Sequence, residues 1–356
     1  MIHEVVIVIN PGSTSTKLAV YNRGGEFHSC TVCHPQSELD QFKRIPEQII
    51  YRYKKLQSSL QDFPLRTNYK VVGIVARGGI VKPLGGGTYR INEAFLEDAG
   101  AGKYGEHASN LGCLLADRLK SDFELTECYT VDPVSSSNIW PKAEISGVPG
   151  IVRAGRGHPL NMKMTGRKVA DLQGIPFEDT NYVIAHLGGG ISIALVQAGR
   201  MVDVNDALLG MGPFSPNRAG ALPLRGVMEK CYSIKREEVT ELFSRNSGLK
   251  AYLGTEDLRE VCRMKNEGNE YAALIYEAFV YQIAKEIGAY FAASEGKAQA
   301  IIITGGIAYN LEFNNDLKRY VGSLTEFHIY AGENEMQALS EGIFRVLDGK
   351  EKALEY

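Results

Sequence analysis

The sequence predicts an α/β fold in which two similar halves follow one another along the chain. Apolar segments rich in β-branched residues alternate with segments whose apolar residues recur at helical spacing, as in mixed α/β proteins. The same order of strand, polar or glycine-rich turn and strand opens each half, which indicates an internal duplication. The 356 residues exceed the usual size of one hydrophobic core, so we expect two domains, 1–150 and 151–333, the first completed by a helix within 334–356. Because the halves share a pattern and little residue identity, two unrelated α/β domains remain the alternative.

The first half opens with three predicted strands. Residues 5–10 and 17–21 are apolar and β-branched, and the turn "NRGGE" leads into a third strand that ends near Cys33. Apolar residues at helical spacing predict a helix within 37–60, and "YKVVGIVARGG" returns to strand. Residues 96–119 are predicted to be helical around a glycine-rich kink. The segment "ECYTVDPV" then predicts a short strand that ends at Asp132.

The second half repeats this order. "NYVIAHLGGGISIALVQAGRMVDV" predicts a strand, a glycine-rich turn, a second strand, a hairpin turn and a third strand. Helices are predicted over 235–243 and 269–293, followed by a strand and glycine turn in "AIIITGGIAYN". The amphipathic segment "NEMQALSEGIFRVLDG" predicts the last helix.

Composition limits the classes of function. Apolar residues make up 44% and charged residues 23% of the chain, as in soluble globular proteins. The net charge of -3 offers no general attraction to nucleic acid or to an anionic membrane. The longest apolar helical region, 271–293, is interrupted by Glu277, Lys285 and Glu286, and the N-terminus has no signal-peptide pattern. We therefore expect a cytoplasmic protein that binds neither nucleic acid nor membrane.

The cysteines do not predict a disulfide scaffold or a redox site. Six are scattered through the chain, too few for a disulfide framework. "C30-T-V-C33-H34" matches short patterns for haem attachment and for a redox dithiol, but it lies in a predicted strand. We interpret the match as chance.

Three turns between strands carry groups that suit the phosphates of a nucleotide. "N10-P-G-S13-T-S15-T-K17" supplies a tight turn, backbone N–H groups, hydroxyls and one ammonium. "H186-L-G-G-G190" and "T304-G-G306" let the backbone approach a ligand closely. Taken singly, each could be an ordinary hairpin loop or bulge, but together they favour one shared nucleotide.

Other motifs are weaker. "G100-A-G-K-Y-G105" matches a dinucleotide pattern, but we reject it because a helical segment precedes it where a strand is required. Five polar residues lie beside turn residues, where solvent-facing sites are common: Arg77, His107, Asp132, His158 and Arg218. A loop arginine or histidine is more often a solvated surface residue, so each of these needs further support.

Motifs along nearly the whole chain resemble those of the butyrate kinases, in the acetate kinase branch of the actin-like ATPase superfamily. They include "VINPGSTSTK", "GGTYRINEAFLEDAGAGKYGEHASNLG", "VDPV", "HPLN", "AHLGGGIS", "DVNDALLGMGPFSPNRAGALP", "TGGIAYN" and "GENEMQALSEG". The resemblance implies two duplicated ribonuclease-H-like domains with an interdomain active-site cleft that binds ATP or ADP and Mg²⁺. It also implies a homodimer or a higher homo-oligomer.

The resemblance assigns roles to individual residues. The first phosphate loop matches Asn10, Ser13, Ser15 and Lys17. The second matches His186, Gly188, Gly189 and Gly190, and the adenosine loop matches Gly305 and Gly306. Arg218 and His158 match residues that hold the transferring phosphoryl group, and Arg77 and His107 match further site residues. Asp132 matches a magnesium-associated aspartate, and Glu335 or Glu333 matches a magnesium-linked glutamate.

The implied reaction is ATP-dependent phosphorylation of a short-chain fatty acid, with butyrate as the first choice. A carboxylate with a pKa near that of Glu, about 4.3, is ionised at neutral pH, so direct in-line transfer needs no general base. Gly157 and Pro159 around His158, and Met211, depart from the family pattern near the expected acyl site. Branched-chain acids, propionate and acetate are therefore alternative substrates. A catalytically silent ATP-binding actin-like protein is the alternative from another class.

Overall fold

The structure, a computed structural model, describes residues 3–61, 63, 69–136 and 138–356. Contacts between Cα atoms divide the chain into two compact units. Unit 1 comprises Met1–Ser137 and Asn334–Tyr356, and unit 2 comprises Asn138–Glu333. The domain limits drawn from the sequence place the first boundary after residue 150 and stay a prediction.

Each unit contains one mixed sheet flanked by helices. The strands are β1 (His3–Pro11), β2 (Ser15–Asn22), β3 (Gly25–Cys33), β4 (Tyr69–Ala76), β5 (Thr88–Arg90), β6 (Tyr129–Val131), β7 (Asn181–Leu187), β8 (Ile191–Gln197), β9 (Arg200–Val204), β10 (Ala300–Gly305) and β11 (Glu326–Ala331). The helices are α1 (Gln36–Leu39), α2 (Ile49–Gln61), α3 (Glu93–Ala101), α4 (Asn110–Lys120), α5 (Pro141–Glu144), α6 (Pro159–Gln173), α7 (Leu224–Ser233), α8 (Arg236–Arg245), α9 (Gly248–Leu253), α10 (Leu258–Asn266), α11 (Glu270–Ala293), α12 (Leu311–Val321) and α13 (Glu335–Leu347).

Five strands of each sheet share one order, and the sheet of unit 1 has β5 as a sixth strand at its edge. In unit 1 the order is β3-β2-β1-β4-β6-β5, with an antiparallel meander of β1, β2 and β3, and with β4 parallel to β1 and β6 parallel to β4. In unit 2 the order is β11-β10-β7-β8-β9, with the same meander in β7, β8 and β9, and with β10 parallel to both β7 and β11. The predicted α/β class and the repeated strand order are confirmed.

Both faces of each central strand are buried, which explains the continuous apolar runs in the sequence. In unit 1, Ile7 on β1 packs in a core with Leu111 and Leu115 of α4. Helix α13 covers the opposite face, where a Cβ at Gly73 would lie 2.6 Å from Cδ1 of Ile343. In unit 2, α6 packs on one face of β7 and α11 packs on the other. The turns that follow β1 and β7 lie at corresponding ends of the two sheets.

Two sequence predictions need correction or completion. The helix predicted within 37–60 is present as α2 but is not continuous, because α1 ends at Leu39 and a 3₁₀ segment, Ile45–Gln48, with Pro46 in its first turn, precedes α2. Proline has no N–H group and cannot continue a preceding helix. Helices α5, α6, α7, α9, α10 and α12 were not predicted. Cys30 and Cys33 lie in β3, and none of the six cysteines forms a disulfide bond. None of the described helices is both long and apolar enough to span a membrane.

Candidate active site

The predicted first phosphate loop connects β1 to β2 in unit 1. The backbone turns between Gly12 and Ser15, where the N–H of Gly12 donates to the carbonyl of Ser15 over 2.7 Å. Ser13 and Thr14 at the tip are exposed, and the side chain of Lys17 on β2 is exposed as well. The loop therefore offers hydroxyl groups, backbone N–H groups and one ammonium group within a few residues.

Asn10, at the end of β1 next to this loop, belongs to a charged cluster in unit 1. Its Nδ2 donates to Oε2 of Glu335 over 2.7 Å, and Arg77 forms an ion pair with Oε1 of the same carboxylate. The side chains of Arg77 and Glu335 are only 12% and 19% exposed, so solvent screens the pair weakly. Glu335 is the first residue of α13, so residues 258 positions apart in the sequence meet here.

His107 stands beside this cluster. Burial lowers its pKa most, the positive charge of Arg77 lowers it further, and the negative charge of Glu335 acts in the opposite direction. Its Nδ1 accepts from the backbone N–H of Ser109 over 3.2 Å and lies 2.8 Å from the Ser109 hydroxyl. Because Nδ1 accepts, the neutral ring carries its proton on Nε2 and can donate from that side.

Asp132 follows β6 with an unusual backbone conformation. Its φ is 40°, in the left-handed region, and it is 1% exposed. Its N–H donates to the carbonyl of Gly87, and its Oδ1 accepts from the N–H of Gly87, both over 2.9 Å. Strain of this kind persists only where the surroundings hold the residue firmly. The two bonds to Gly87 therefore fix a buried carboxylate in one place.

The predicted second phosphate loop connects β7 to β8 in unit 2 and packs against the side chain of Arg218. A Cβ at Gly190 would lie 2.1 Å from Nη1 of Arg218, so no side chain fits at residue 190 while the guanidinium holds this position. The hydroxyl of Ser215 donates to the carbonyl of Gly189 over 2.6 Å and accepts from the N–H of Arg218 over 3.2 Å. The loop and the segment "PFSPNRAG" therefore support one another.

The guanidinium of Arg218 is half-buried and only partly engaged. Nη1 donates to the carbonyl of Ala207 over 2.5 Å, and Nε has no partner among the described residues. Burial lowers the pKa of Arg218, and the negative charge of Asp206 acts in the opposite direction. No carboxylate in the described part of the chain forms an ion pair with it, so its remaining donors can serve an anionic ligand.

His158 and His186 form a stacked pair in unit 2. Their ring centroids are 3.9 Å apart and the planes differ by 10°. Nδ1 of His158 lies 2.9 Å from the hydroxyl of Ser192. Nε2 of His186 lies 3.6 Å from Oε1 of Glu333. The pair brings two predicted site histidines and one predicted metal-linked glutamate together within this unit.

A buried asparagine fixes the tautomer of His186. Nδ2 of Asn161 contacts Nδ1 of His186 at 2.9 Å, the hydroxyl of Thr304 at 3.0 Å and the carbonyl of Gly332 at 3.4 Å. The Thr304 hydroxyl donates to the same carbonyl over 3.2 Å, so it accepts from Asn161. Nδ1 of His186 then accepts the other amide hydrogen, and the neutral ring carries its proton on Nε2.

A cavity of about 650 Å³ in unit 2 joins the second loop to the predicted adenosine loop. Gly305 has φ 89°, and a Cβ there would lie 2.3 Å from the carbonyl oxygen of Leu187, so the close approach of β10 to β7 requires glycine. The lining residues are Gly188, Gly189, Pro216, Asn217, Glu256, Asp257, Leu258, Arg259, Gly306, Ile307, Tyr309 and Asn310. Its size and mixed lining suit a nucleoside.

The structure thus groups the predicted residues within each unit. Unit 1 brings Asn10, Arg77, His107 and Glu335 into one cluster, beside the loop that carries Ser13, Ser15 and Lys17. Unit 2 brings His158, His186 and Glu333 together, and it packs Gly188 to Gly190 with Arg218, Gly305 and Gly306. Sequence reasoning missed Asn161 and the segment 256–259. Asn161 stands three residues after His158 in "HPLN", and this spacing on α6 was the available signal.

No group of three or more His, Cys, Asp or Glu side chains in the described ranges is close enough to hold a metal ion by itself. A metal that arrives with a nucleotide needs fewer protein ligands, because phosphates and water supply the others.

Comparison with solved structures defines the class of fold. Over 96% of this chain and 99% of the other, the structure matches the crystal structure of Porphyromonas gingivalis acetate kinase with a TM-score of 0.76 and 17% sequence identity. Over the same shares it matches a propionate kinase from Francisella tularensis with a TM-score of 0.69 and 19% identity. The fold is therefore that of the acetate and propionate kinases, with two α/β sheets of the actin-like ATPase type.

Sequence comparison identifies the family. Residues 148–338 match the model of the acetokinase family. A relative from Listeria monocytogenes serotype 4b, strain CLIP80459, named "Probable butyrate kinase", is 42% identical over 353 residues, 99% of both chains. This chain belongs to the acetokinase family.

Proposed function

We propose that this protein is an ATP-dependent short-chain fatty acid kinase that converts butyrate and ATP to butanoyl phosphate and ADP. The observation that carries this proposal is the packing of Arg218 on the Gly190 loop, which presents uncommitted guanidinium donors beside the cavity that suits a nucleoside. The 42% identity to a "Probable butyrate kinase" over nearly the whole chain supports the choice of acid.

The chemistry explains why the site is rich in donors and poor in bases. The carboxylate substrate is already ionised, so the difficulty is to bring two anions together and not to remove a proton. Arg218 and Lys17 supply positive charge for the phosphoryl group, and His186 can donate from Nε2 but cannot accept there in its neutral form. His107 likewise donates from Nε2. In direct in-line transfer these donors would meet the charge that develops on the phosphoryl group.

We propose the predicted carboxylates Asp132, Glu333 and Glu335 as candidate ligands of a magnesium ion that accompanies ATP. Asp132 is buried and fixed, and Glu333 lies beside the histidine pair. Glu335 accepts from Asn10 and Arg77. Carboxylate oxygens are the ligands that magnesium prefers. When bound, the metal would neutralise phosphate charge.

The test is a kinase assay over straight and branched carboxylic acids of two to six carbons, with ADP release and hydroxamate detection of the acyl phosphate. We expect the highest kcat/KM with butyrate. The preference should be soft, because one buried methylene contributes about 0.8 kcal/mol, only a few-fold in rate. A better rate with acetate, propionate or a branched acid would change the assigned substrate. Binding of ATP without turnover of any acid in the series would contradict the proposed reaction.

Family membership also leads us to propose that the protein acts in the cytoplasm as a homodimer or higher homo-oligomer. Light scattering coupled to size-exclusion chromatography measures the number of subunits directly. A monomer at assay concentrations would contradict the second part.

A further inference from the structure

The buried side chain of Arg52 lies directly behind the first phosphate loop. Helix α2 and the last residue of the 3₁₀ segment before it place Gln48, Arg52, Leu56 and Leu60 at a spacing of four residues, and all four are buried. Arg52 is 1% exposed and occupies a core position that would normally hold an apolar side chain. Burying a charged group at such a position costs free energy unless the group is paired and hydrogen-bonded.

All of the guanidinium donors of Arg52 point at neutral acceptors, most of them in the loop. Nη1 donates to the carbonyl of Gly12 over 2.8 Å and approaches the carbonyl of Ser15 at 3.3 Å, and Nη2 donates to the carbonyl of Ser13 over 2.7 Å. Nε and Nη2 both donate to Oε1 of Gln48. A planar fork that binds several carbonyls at once is a geometry that Lys cannot reproduce.

The carbonyl and N–H groups of the loop consequently point in opposite directions. Its carbonyl groups at residues 12, 13 and 15 face Arg52, and the carbonyl of Thr14 accepts from the N–H of His34 over 2.8 Å. The N–H groups of Ser13 and Thr14 donate to no acceptor among the described residues. A peptide whose oxygen is held behind the loop turns its N–H the other way. Successive free N–H groups of this kind form an anion-binding concavity.

No carboxylate within the described ranges pairs with Arg52. Burial lowers its pKa to about 10, so it still carries its charge at neutral pH. The hydroxyl of Thr16, which follows Ser15, accepts from Nη1 of Arg52 at 3.2 Å. It therefore donates its own hydrogen to Nε2 of His34, and an imidazole that accepts at Nε2 is neutral. The loop therefore stands in front of a buried positive charge that the surrounding protein does not balance.

We propose that Arg52 is a positioning residue of the first phosphate loop, and that its unbalanced charge is met by the phosphate groups of the bound nucleotide. The proposal rests on the assignment of this loop to nucleotide phosphate in the proposed function. Arg52 acts through the loop and does not touch the nucleotide. It turns the free N–H groups toward the phosphates and raises the local positive potential.

The substitution Gln48→Glu separates charge from structure. Glu retains the oxygen that accepts from Nε and Nη2 of Arg52, but it adds a carboxylate that balances the guanidinium. The matched control is Gln61→Glu, which adds the same charge at the exposed C-terminal end of α2. Dissociation constants for ATP and for adenosine are measured by calorimetry, together with thermal midpoints.

We expect Gln48→Glu to weaken ATP binding about tenfold without weakening adenosine binding or lowering the thermal midpoint, because a nearby unit charge acts on the phosphates alone. Arg52→Lys keeps the charge and loses the fork, so we expect weaker ATP binding with a lower thermal midpoint. Equal ATP affinity in Gln48→Glu and Gln61→Glu would overturn the proposal. Failure of Gln48→Glu to fold would also overturn it, since the new ion pair should hold Arg52 at least as firmly.

The same experiment distinguishes this inference from the proposed reaction. If the wild-type protein phosphorylates no carboxylic acid but Gln48→Glu still weakens ATP binding, the proposed reaction is contradicted and the role of Arg52 is supported. If the wild-type protein phosphorylates butyrate but Gln48→Glu binds ATP as tightly as the wild type, the reaction is supported and the role of Arg52 is contradicted.

Discussion

The two glycine- or hydroxyl-rich turns that follow β1 and β7 occupy the same position in sheets of the same strand order, yet different physical means support them. The first turn is held from behind by the buried cation of Arg52, and it offers N–H groups, hydroxyls and Lys17. The second is held from the side by Arg218 and Ser215, and its three glycines leave room for that contact. One strand-turn-strand topology therefore accommodates two ways of receiving an anion: charge placed beneath the loop, or charge placed beside it.

The difference matters for what each turn tolerates. The first loop depends on a side chain that never reaches the solvent, so its function is sensitive to charge changes in the core. The second depends on absent side chains, so its function is sensitive to added volume. Substitutions that alter charge alone or volume alone can separate the two designs.

Removal of Arg218 should have the largest effect. We expect Arg218→Ala to lower kcat about a thousandfold while the dissociation constant for adenosine stays within about twofold, because the lost donors act on the transferring phosphoryl group. Steady-state kinetics and calorimetry measure the two quantities. Arg225→Ala removes an equal charge from the exposed surface of α7 and serves as the control. Turnover that matches this control would exclude Arg218 from the mechanism.

Added volume at the second loop should have the next largest effect. In Gly190→Ala the new Cβ would meet Nη1 of Arg218, so we expect the guanidinium to be displaced and kcat to fall about a hundredfold. Gly226→Ala, where a Cβ meets open space, is the matched control for glycine replacement. A crystal structure of Gly190→Ala with Arg218 unmoved would contradict this account of why glycine is needed.

Loss of the tautomer lock on His186 should have a smaller effect. Asn161→Asp cannot donate to Nδ1, so we expect the proton to move to that nitrogen and kcat to fall about tenfold. Nitrogen-15 NMR of the histidine ring reports the tautomer independently of activity. Asn314→Asp, at another buried asparagine of unit 2, controls for general destabilisation. An unchanged ring spectrum in Asn161→Asp would rule out the lock.

The smallest expected effect is on the pH dependence of stability, through His34 behind the first loop. Burial and the charge of Arg52 lower the pKa of His34 from 6.5 to about 4 in the folded chain. The unfolded chain binds the proton more readily, so this contribution to stability is complete above pH 6.5 and is lost as pH falls toward 4. Chemical denaturation across this window should show a loss of up to ~3 kcal/mol.

His34→Gln should flatten that part of the stability profile, while His3→Gln, at an exposed site, should leave it intact. The glutamine amide can still accept from Thr16, so the comparison isolates protonation from the lost hydrogen bond. Parallel profiles for all three proteins would show that His34 is not protonated on unfolding in this range.

The elements were predictable where local chemistry decides them. The β-branched runs of β1 and β7, the turns at Gly12 and Gly188, and the helix α11 all follow from patterns that span a few residues. Pro46 shows the limit of this approach, because the spacing of apolar residues predicted a continuous helix across a proline that cannot continue one.

The support of the site was less predictable, since it depends on residues far apart in the sequence. Arg52 looked like one more polar residue in an amphipathic helix, and only the fold shows that its position is a core position. The pairing of Arg77 with Glu335 joins residues 258 positions apart, which no local pattern reveals. The spacing in "HPLN" points to Asn161 but not to its role, because the imidazole it orients lies on another element.

Helix α13 has a consequence for how the chain becomes a protein. Unit 1 begins with the first described residues but needs residues 334–356 to cover its sheet and to supply Glu335. During synthesis the whole of unit 2 leaves the ribosome before that helix does. The first unit to be translated is thus the last to be finished, and its charged cluster remains incomplete until translation of α13 has begun.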